Sequence, residues 1–182
     1  MSQPQSSNPM PLGLLGFGMT TIMLNLHNAG VIEMNIMIAA MGFMLGGAAQ
    51  ILAGIMAFRR GNTFGGTAFC AYGLFWLSLV LIWWNPLELA LCDSNALGFY
   101  LLIWGLFTAF MFLGSLKHNT ISKIVFGSLT MLFILLAVGD FTQLRWITII
   151  AGIVGIFCGL SAFYSAVGQI VNGEFGKKVL PM

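Results

Sequence analysis

Apolar residues in this chain come in long unbroken runs instead of alternating with polar ones. Six runs stand out, roughly Pro11 to Leu26, Met34 to Phe58, Phe64 to Trp84, Leu97 to Leu116, Ile124 to Gly139 and Trp146 to Val171. Each approaches the roughly 20 residues that an α-helix needs to cross the hydrocarbon core. A spanning barrel would alternate polarity at every second position, and these runs do not. The pattern predicts an all-α integral membrane protein with six transmembrane helices spanning residues 10–172, between short cytoplasmic tails at 1–9 and 173–182. The first tail is rich in Ser and Gln and reads as disordered. The fifth run is the shortest, and its start near Ser122 is the least sharply marked.

Composition sharpens this reading. Of 182 residues, 59% are hydrophobic and only 7% are charged, against roughly 25% charged in an ordinary soluble domain. Three cysteines are too few for a disulfide scaffold. A net charge of +2 with no basic stripe argues against nucleic acid as a partner. The loops give an orientation. Arg59, Arg60, Lys117, Lys123, Lys177 and Lys178 fall on the side of both tails, while Glu33, Glu88, Asp93, Asp140 and Arg145 fall on the other. The positive-inside rule then places both termini in the cytoplasm of a multi-pass inner-membrane protein. Trp83, Trp84 and Trp146 sit at predicted outer ends, where an aromatic belt is expected. Residues 1–9 lack Lys and Arg, so the first run does not read as a signal peptide.

Inside the predicted spans there is no Asp, Glu, Lys or Arg at mid-depth. The intramembrane carboxylate usual in proton-driven pumps is therefore missing. His27 and His118 lie at helix ends and read as interfacial. Cys70, Cys92 and Cys158 have no metal-ligand spacing, and no nucleophile–base pair stands at mid-depth, so neither a cofactor nor an enzymatic site is expected. Two glycine pairs at a spacing of four, Gly42/Gly46 and Gly155/Gly159, predict close helix contacts. Uncharged polar residues run through the spans, among them Thr20, Thr21, Gln50, Tyr72, Ser128 and Thr130. Singly each suits helix–helix hydrogen bonding; together they suffice to line a polar, uncharged path for solutes with one charge or none. A scaffold or receptor subunit fits the composition too, but needs no such path. At the start of the first run, Asn8-Pro9-Met10-Pro11-Leu12-Gly13-Leu14 offers a capping amide and prolines suited to a first turn. The positive end of that helix is also suited to an anion.

That heptapeptide resembles the N-P-A-P-L-G-L signature of the acetate uptake transporter family. The resemblance continues through Gly16 to Thr21, Asn25 to Gly30, Gly46 to Gln50, Gly61 to Gly65, Tyr72 to Trp76, Ser128 to Thr130, Leu136 to Gly139 and Asn172 to Gly176. Met10 is the visible departure, since the family usually has a small residue there. The resemblance implies six helices around a pore in each subunit, a homohexamer, and passage of acetate and, in some members, succinate or lactate. It implies a narrow Phe–Tyr–Leu ring, matched here by Phe17, Tyr72 and Leu129. It further implies a small residue, matched by Ala162, that helps limit substrate size, and a role in uptake for Asn8 through Leu14. Read on the residues alone, a channel for small neutral solutes such as urea, ammonia or water fits the same uncharged path.

Overall fold

The computed structural model describes residues 7–181; residues 1–6 of the predicted tail and Met182 lie outside them. The described chain forms six helical rods in sequence: α1 Met10–Asn28, α2 Ile36–Arg59, α3 Thr63–Trp84, α4 Ser94–Ser115, α5 Thr120–Thr142 and α6 Arg145–Phe175. Among the described residues, α2 to α6 are the five helices long and apolar enough to cross a membrane on length and composition. α1 has 19 residues, and its Pro, Thr, Asn and His residues keep it out of that set.

α3, α4 and α5 begin further out than their apolar runs because a polar side chain caps the first turn, and Asn35 caps α2 just inside the start of its run. Asn35 accepts from the Met37 N–H at 3.0 Å, Asn62 from Gly65 at 2.8 Å, Asp93 from Ala96 at 2.7 Å and Asn119 from Ser122 at 2.9 Å. The Asn119 cap explains the long start of α5, whose polar first turn hides the helix from an apolar scan. α3, α5 and α6 end on left-handed residues, Asn85, Gln143 and Gly176. Within α2, Gly42–Ala49 winds in wider, π-type turns.

The rods form a closed ring in chain order. α1 packs between α2 and α6, α6 against α5, α5 against α4, and α2 against α3. Between α3 and α4 the contact is made by long side chains. Phe75 stacks on Tyr100 with ring centres 5.7 Å apart, and the Ser78 hydroxyl lies 2.7 Å from the Tyr100 hydroxyl. The α1–α6 contact is the tightest kind, backbone on backbone. A β-carbon at Gly159 would stand 2.8 Å from the Gly18 carbonyl oxygen, and one at Gly155 would strike the Asn25 carboxamide. The Gly42/Gly46 pair does something else: it makes a bed for the Trp76 indole, whose Cγ would be 2.6 Å from a β-carbon at Gly46.

One end of the ring collects the start of α1, the α2–α3 and α4–α5 turns, and the end of α6. Arg60 donates to the Ser7 carbonyl there, and Asn8 Nδ2 donates to Gln169 Oε1 at 3.0 Å. The last turn of α6 is strapped as well: Asn172 Oδ1 accepts from the Val179 and Leu180 N–H groups at 2.7 and 2.8 Å. The other end carries Glu33, Glu88, Asp93 and Arg145, the last lying beside Gly30. The exposed sides of the rods are apolar, with Phe43, Phe110 and Phe157 among the large exposed residues.

Candidate functional site: two chambers and a collar

Phe17 on α1, Tyr72 on α3 and Leu129 on α5 point inward and are buried, at 6%, 3% and 3% exposure. Their depth follows from the ring: each lies near the middle of its own helix. The Phe17 and Tyr72 rings are 6.1 Å apart, centre to centre. All three side chains line two separate cavities, and so stand between them. The larger cavity measures about 380 Å³ and lies toward the end that gathers the basic turns. Its rim carries exposed Asn62, His118 and Asn119, with Met10, Ser122 and Gln169. The smaller measures about 30 Å³ and lies toward the other end, between Thr21, Asn25, Trp76 and apolar residues of α5. Neither lining contains an Asp, Glu, Lys or Arg.

The hydroxyl at the collar is already engaged. Tyr72 donates to Thr108 Oγ1 at 3.0 Å, and Thr108 donates to the Trp104 carbonyl at 2.7 Å. Each proton in that chain is spent, so the collar presents aromatic and aliphatic surface and no free donor. Gln50 is fully buried at the wall of the larger chamber and donates Nε2 to the Gly46 carbonyl at 2.7 Å. Its Oε1 has no partner. Across the collar, Thr21 Oγ1 and Trp76 Nε1 are also buried without partners. These three atoms are the buried side-chain polar atoms left unpaired among the described residues, and all three residues line one of the two chambers. A buried unpaired polar atom costs about 1–3 kcal/mol.

The other predicted residues divide. Thr20 is buried, with its hydroxyl 2.7 Å from the Gly16 carbonyl of its own helix and 3.3 Å from the Met41 carbonyl of α2. Ser128 and Thr130 return their hydroxyls to the carbonyls of Ile124 at 2.7 Å and Phe126 at 2.8 Å. These three lie outside both linings, because a helical hydroxyl readily satisfies itself on the preceding turn. Ala162 is fully buried in the same core cluster as Leu129 but borders neither cavity. In the N-terminal motif, Met10 and Leu14 line the larger chamber, and Asn8 reaches it through Gln169. The helix end is a poor anion seat. Asn8 Oδ1 takes the Met10 N–H at 3.1 Å, Gly13 N donates to the Pro9 carbonyl at 3.4 Å, and Pro11 has no N–H. Of that first turn only the Leu12 N–H is left over.

Sequence reasoning passed over Trp76 and the rim residues Asn62, His118 and Asn119. His118, interfacial by its place in the sequence, packs edge-on against Phe64 with ring centres 4.5 Å apart, at the chamber mouth. The signal available was proximity to the polar turns that cap α3 and α5.

The model of the GPR1/FUN34/yaaH family matches residues 1–181. The chain belongs to that family. It is 51% identical over 185 residues to the succinate-acetate/proton symporter SatP of Escherichia coli (strain K12), covering 100% of this chain and 98% of the relative. The structure of the bacterial acetate channel SatP superposes with a TM-score of 0.96 at 50% identity, covering 98% of this chain and 99% of that one. A more distant member, the ammonia transport outward protein 2 of Saccharomyces cerevisiae, is 38% identical over 92% of this chain and 63% of its own length. Membership in this family, with five spanning-length apolar helices, makes the chain a multi-pass membrane protein.

Proposed function

We propose that this protein carries acetate and similarly small monocarboxylates across the cytoplasmic membrane, through a path inside each subunit. The observation that supports this best is the buried collar of Phe17, Tyr72 and Leu129, bordered by a roomy chamber on one side and a small one on the other. A methyl group suits such a collar. A bare carboxylate does not, because stripping its water without a donor costs several kcal/mol or more. With the Tyr72 proton given to Thr108, the collar favours the neutral acid, so the proton travels on the substrate. That fits a chain with no carboxylate relay at mid-depth. A dianion would meet no Arg or Lys in either lining.

In this reading all six helices cross the bilayer. α1 does so because it runs antiparallel to α6 over its full length, from the Asn8–Gln169 bond at one end to the Ala29–Gly152 contact at the other. The end with six of the seven basic residues, and both termini, faces the cytoplasm. Subunits assemble as a homohexamer, with the apolar outer faces shared between lipid and neighbours.

Purified protein in proteoliposomes should take up radiolabelled acetate several-fold faster than empty vesicles, and an internal pH dye should report acidification. Uptake equal to empty vesicles from folded protein overturns the proposal. The name of the yeast relative, and a collar without charge, favour ammonia as a second reading. Inhibition of uptake by excess propionate, with none by acetamide, separates the carboxylate reading from a neutral-solute one.

A further inference from the structure

Among the described residues, α4 is the one rod that lines neither chamber, yet it stands directly behind the collar. Trp104, Phe107 and Thr108 fall at a spacing that puts them on one face of α4. All three pack on Tyr72. The Tyr72 ring meets Phe107 edge-on with centres 5.6 Å apart and lies 6.2 Å from Trp104. Trp104 and Phe107 brace each other, their ring centres 5.8 Å apart and their planes at 87°. Thr108 takes the Tyr72 hydroxyl proton. Tyr72 lines both chambers and the two braced rings line neither, so they sit on its far side from the path. We propose that Trp104 and Phe107 are positioning residues that set the aperture of the collar, and with it the largest acid that passes, by fixing how far the Tyr72 ring can draw back. This rests on the carboxylate reading and on the collar given above.

The elements make α4 a fixed reference for that ring. It packs closely along α5, the helix that carries Leu129. A β-carbon at Gly98 would stand 2.6 Å from the Phe141 ring, and one at Gly105 would stand 3.0 Å from Ile134 Cδ1. Toward α3, α4 reaches with long side chains instead, through the Phe75–Tyr100 stack and the two rings behind Tyr72. The gap between Tyr72 and Leu129 is therefore set by a shelf that belongs, in packing, to the helix pair of Leu129. The other face of α4 carries exposed Ile103, Leu106 and Phe110, while Trp104 and Phe107 pack against the core. Interiors are close-packed, so a ring cannot retreat unless there is space for it to enter. Truncating the shelf makes that space, because the surroundings of a deleted side chain relax only in part. The space opens behind Tyr72, where substrate does not reach, so only movement of the Tyr72 ring can carry its effect to the path. The hydrogen bond to Thr108 holds the hydroxyl; the shelf holds the ring.

The test compares uptake of radiolabelled lactate and acetate into the same proteoliposomes of full-length protein, since the ratio of the two does not depend on how much of a variant is folded. Phe107→Ala should raise the lactate-to-acetate ratio several-fold. Phe107→Leu should give a smaller rise, and it carries the test if Phe107→Ala fails to fold. Phe107→Trp pushes the Tyr72 ring into the gap and should lower the ratio. A merely structural residue would lose stability in all three variants and move the ratio in none. In a Tyr72→Ala background, Phe107→Ala should add nothing, because the ring it positions is gone; such a cycle isolates the coupling of two residues in contact. Leu129→Ala, measured alongside, reports on the collar itself. A ratio unchanged by Phe107→Ala and Phe107→Leu, while Leu129→Ala raises it, overturns the role of the shelf and leaves the transport reading standing. A rise from Phe107→Ala that is just as large in the Tyr72→Ala background overturns it too. Acetate flux equal to empty vesicles from folded wild-type protein overturns the transport reading, and the shelf with it.

Discussion

Leu129 is the one aliphatic member of the collar, and its size decides what passes more than its polarity does. Leu129→Ala removes three carbons where both chambers meet. It should raise lactate uptake relative to acetate at least several-fold, measured side by side in proteoliposomes. Ala162→Gly should do less, because Ala162 borders neither chamber. Tyr72 carries a sharper expectation. Its hydroxyl donates to Thr108 and away from substrate. Tyr72→Phe should therefore cost about 1 kcal/mol of stability, the worth of one hydrogen bond, while acetate flux stays within about twofold. The identity of the collar residues was legible in the sequence through the family motifs. The destination of the Tyr72 proton was not, because nothing in the spacing says that α3 and α4 meet through Tyr72 and Thr108. Nor was Trp76 legible: an indole in an apolar run reads as core, and only an unpaired N–H beside a cavity marks it out.

Among the elements, apolar runs located the helices and underestimated their ends. α5 extends from Thr120 to Thr142 where the run suggested Ile124 to Gly139, since capping by Asn119 and a left-handed Gln143 lie outside any apolar count. The wide turns in α2 left no mark in the pattern at all. The glycine pairs were visible as pairs, but their partners differ in kind: helix backbone and Asn25 for Gly155/Gly159, an indole ring for Gly42/Gly46. This difference gives a test. Gly155→Ala drives a methyl into the Asn25 carboxamide at the α1–α6 seam, a fully packed site where overpacking costs about 1–3 kcal/mol. The variant should melt at lower temperature in detergent than wild type. An unchanged melting temperature would mean that α1 and α6 are not as close as described.

The molecule as a whole is a ring of oily rods with its basic turns gathered at one end. Orientation can be read with a native probe. Cys92 is exposed on the end opposite the basic turns, Cys70 is partly buried, and Cys158 is fully buried. A membrane-impermeant maleimide added to intact cells should label wild-type protein and fail to label Cys92→Ser. Labelling of wild type that requires lysis would reverse the assignment of both termini to the cytoplasm.

The central claim is that substrate passes between Phe17, Tyr72 and Leu129, and a variant that closes the gap without touching the rest of the ring tests it most directly. Leu129→Trp fills the space between the chambers with an indole. Reconstituted beside wild type at equal protein density, it should bring radiolabelled acetate uptake down to that of empty vesicles while keeping its assembly and helical content. Uptake equal to wild type from such a folded variant would place the path elsewhere.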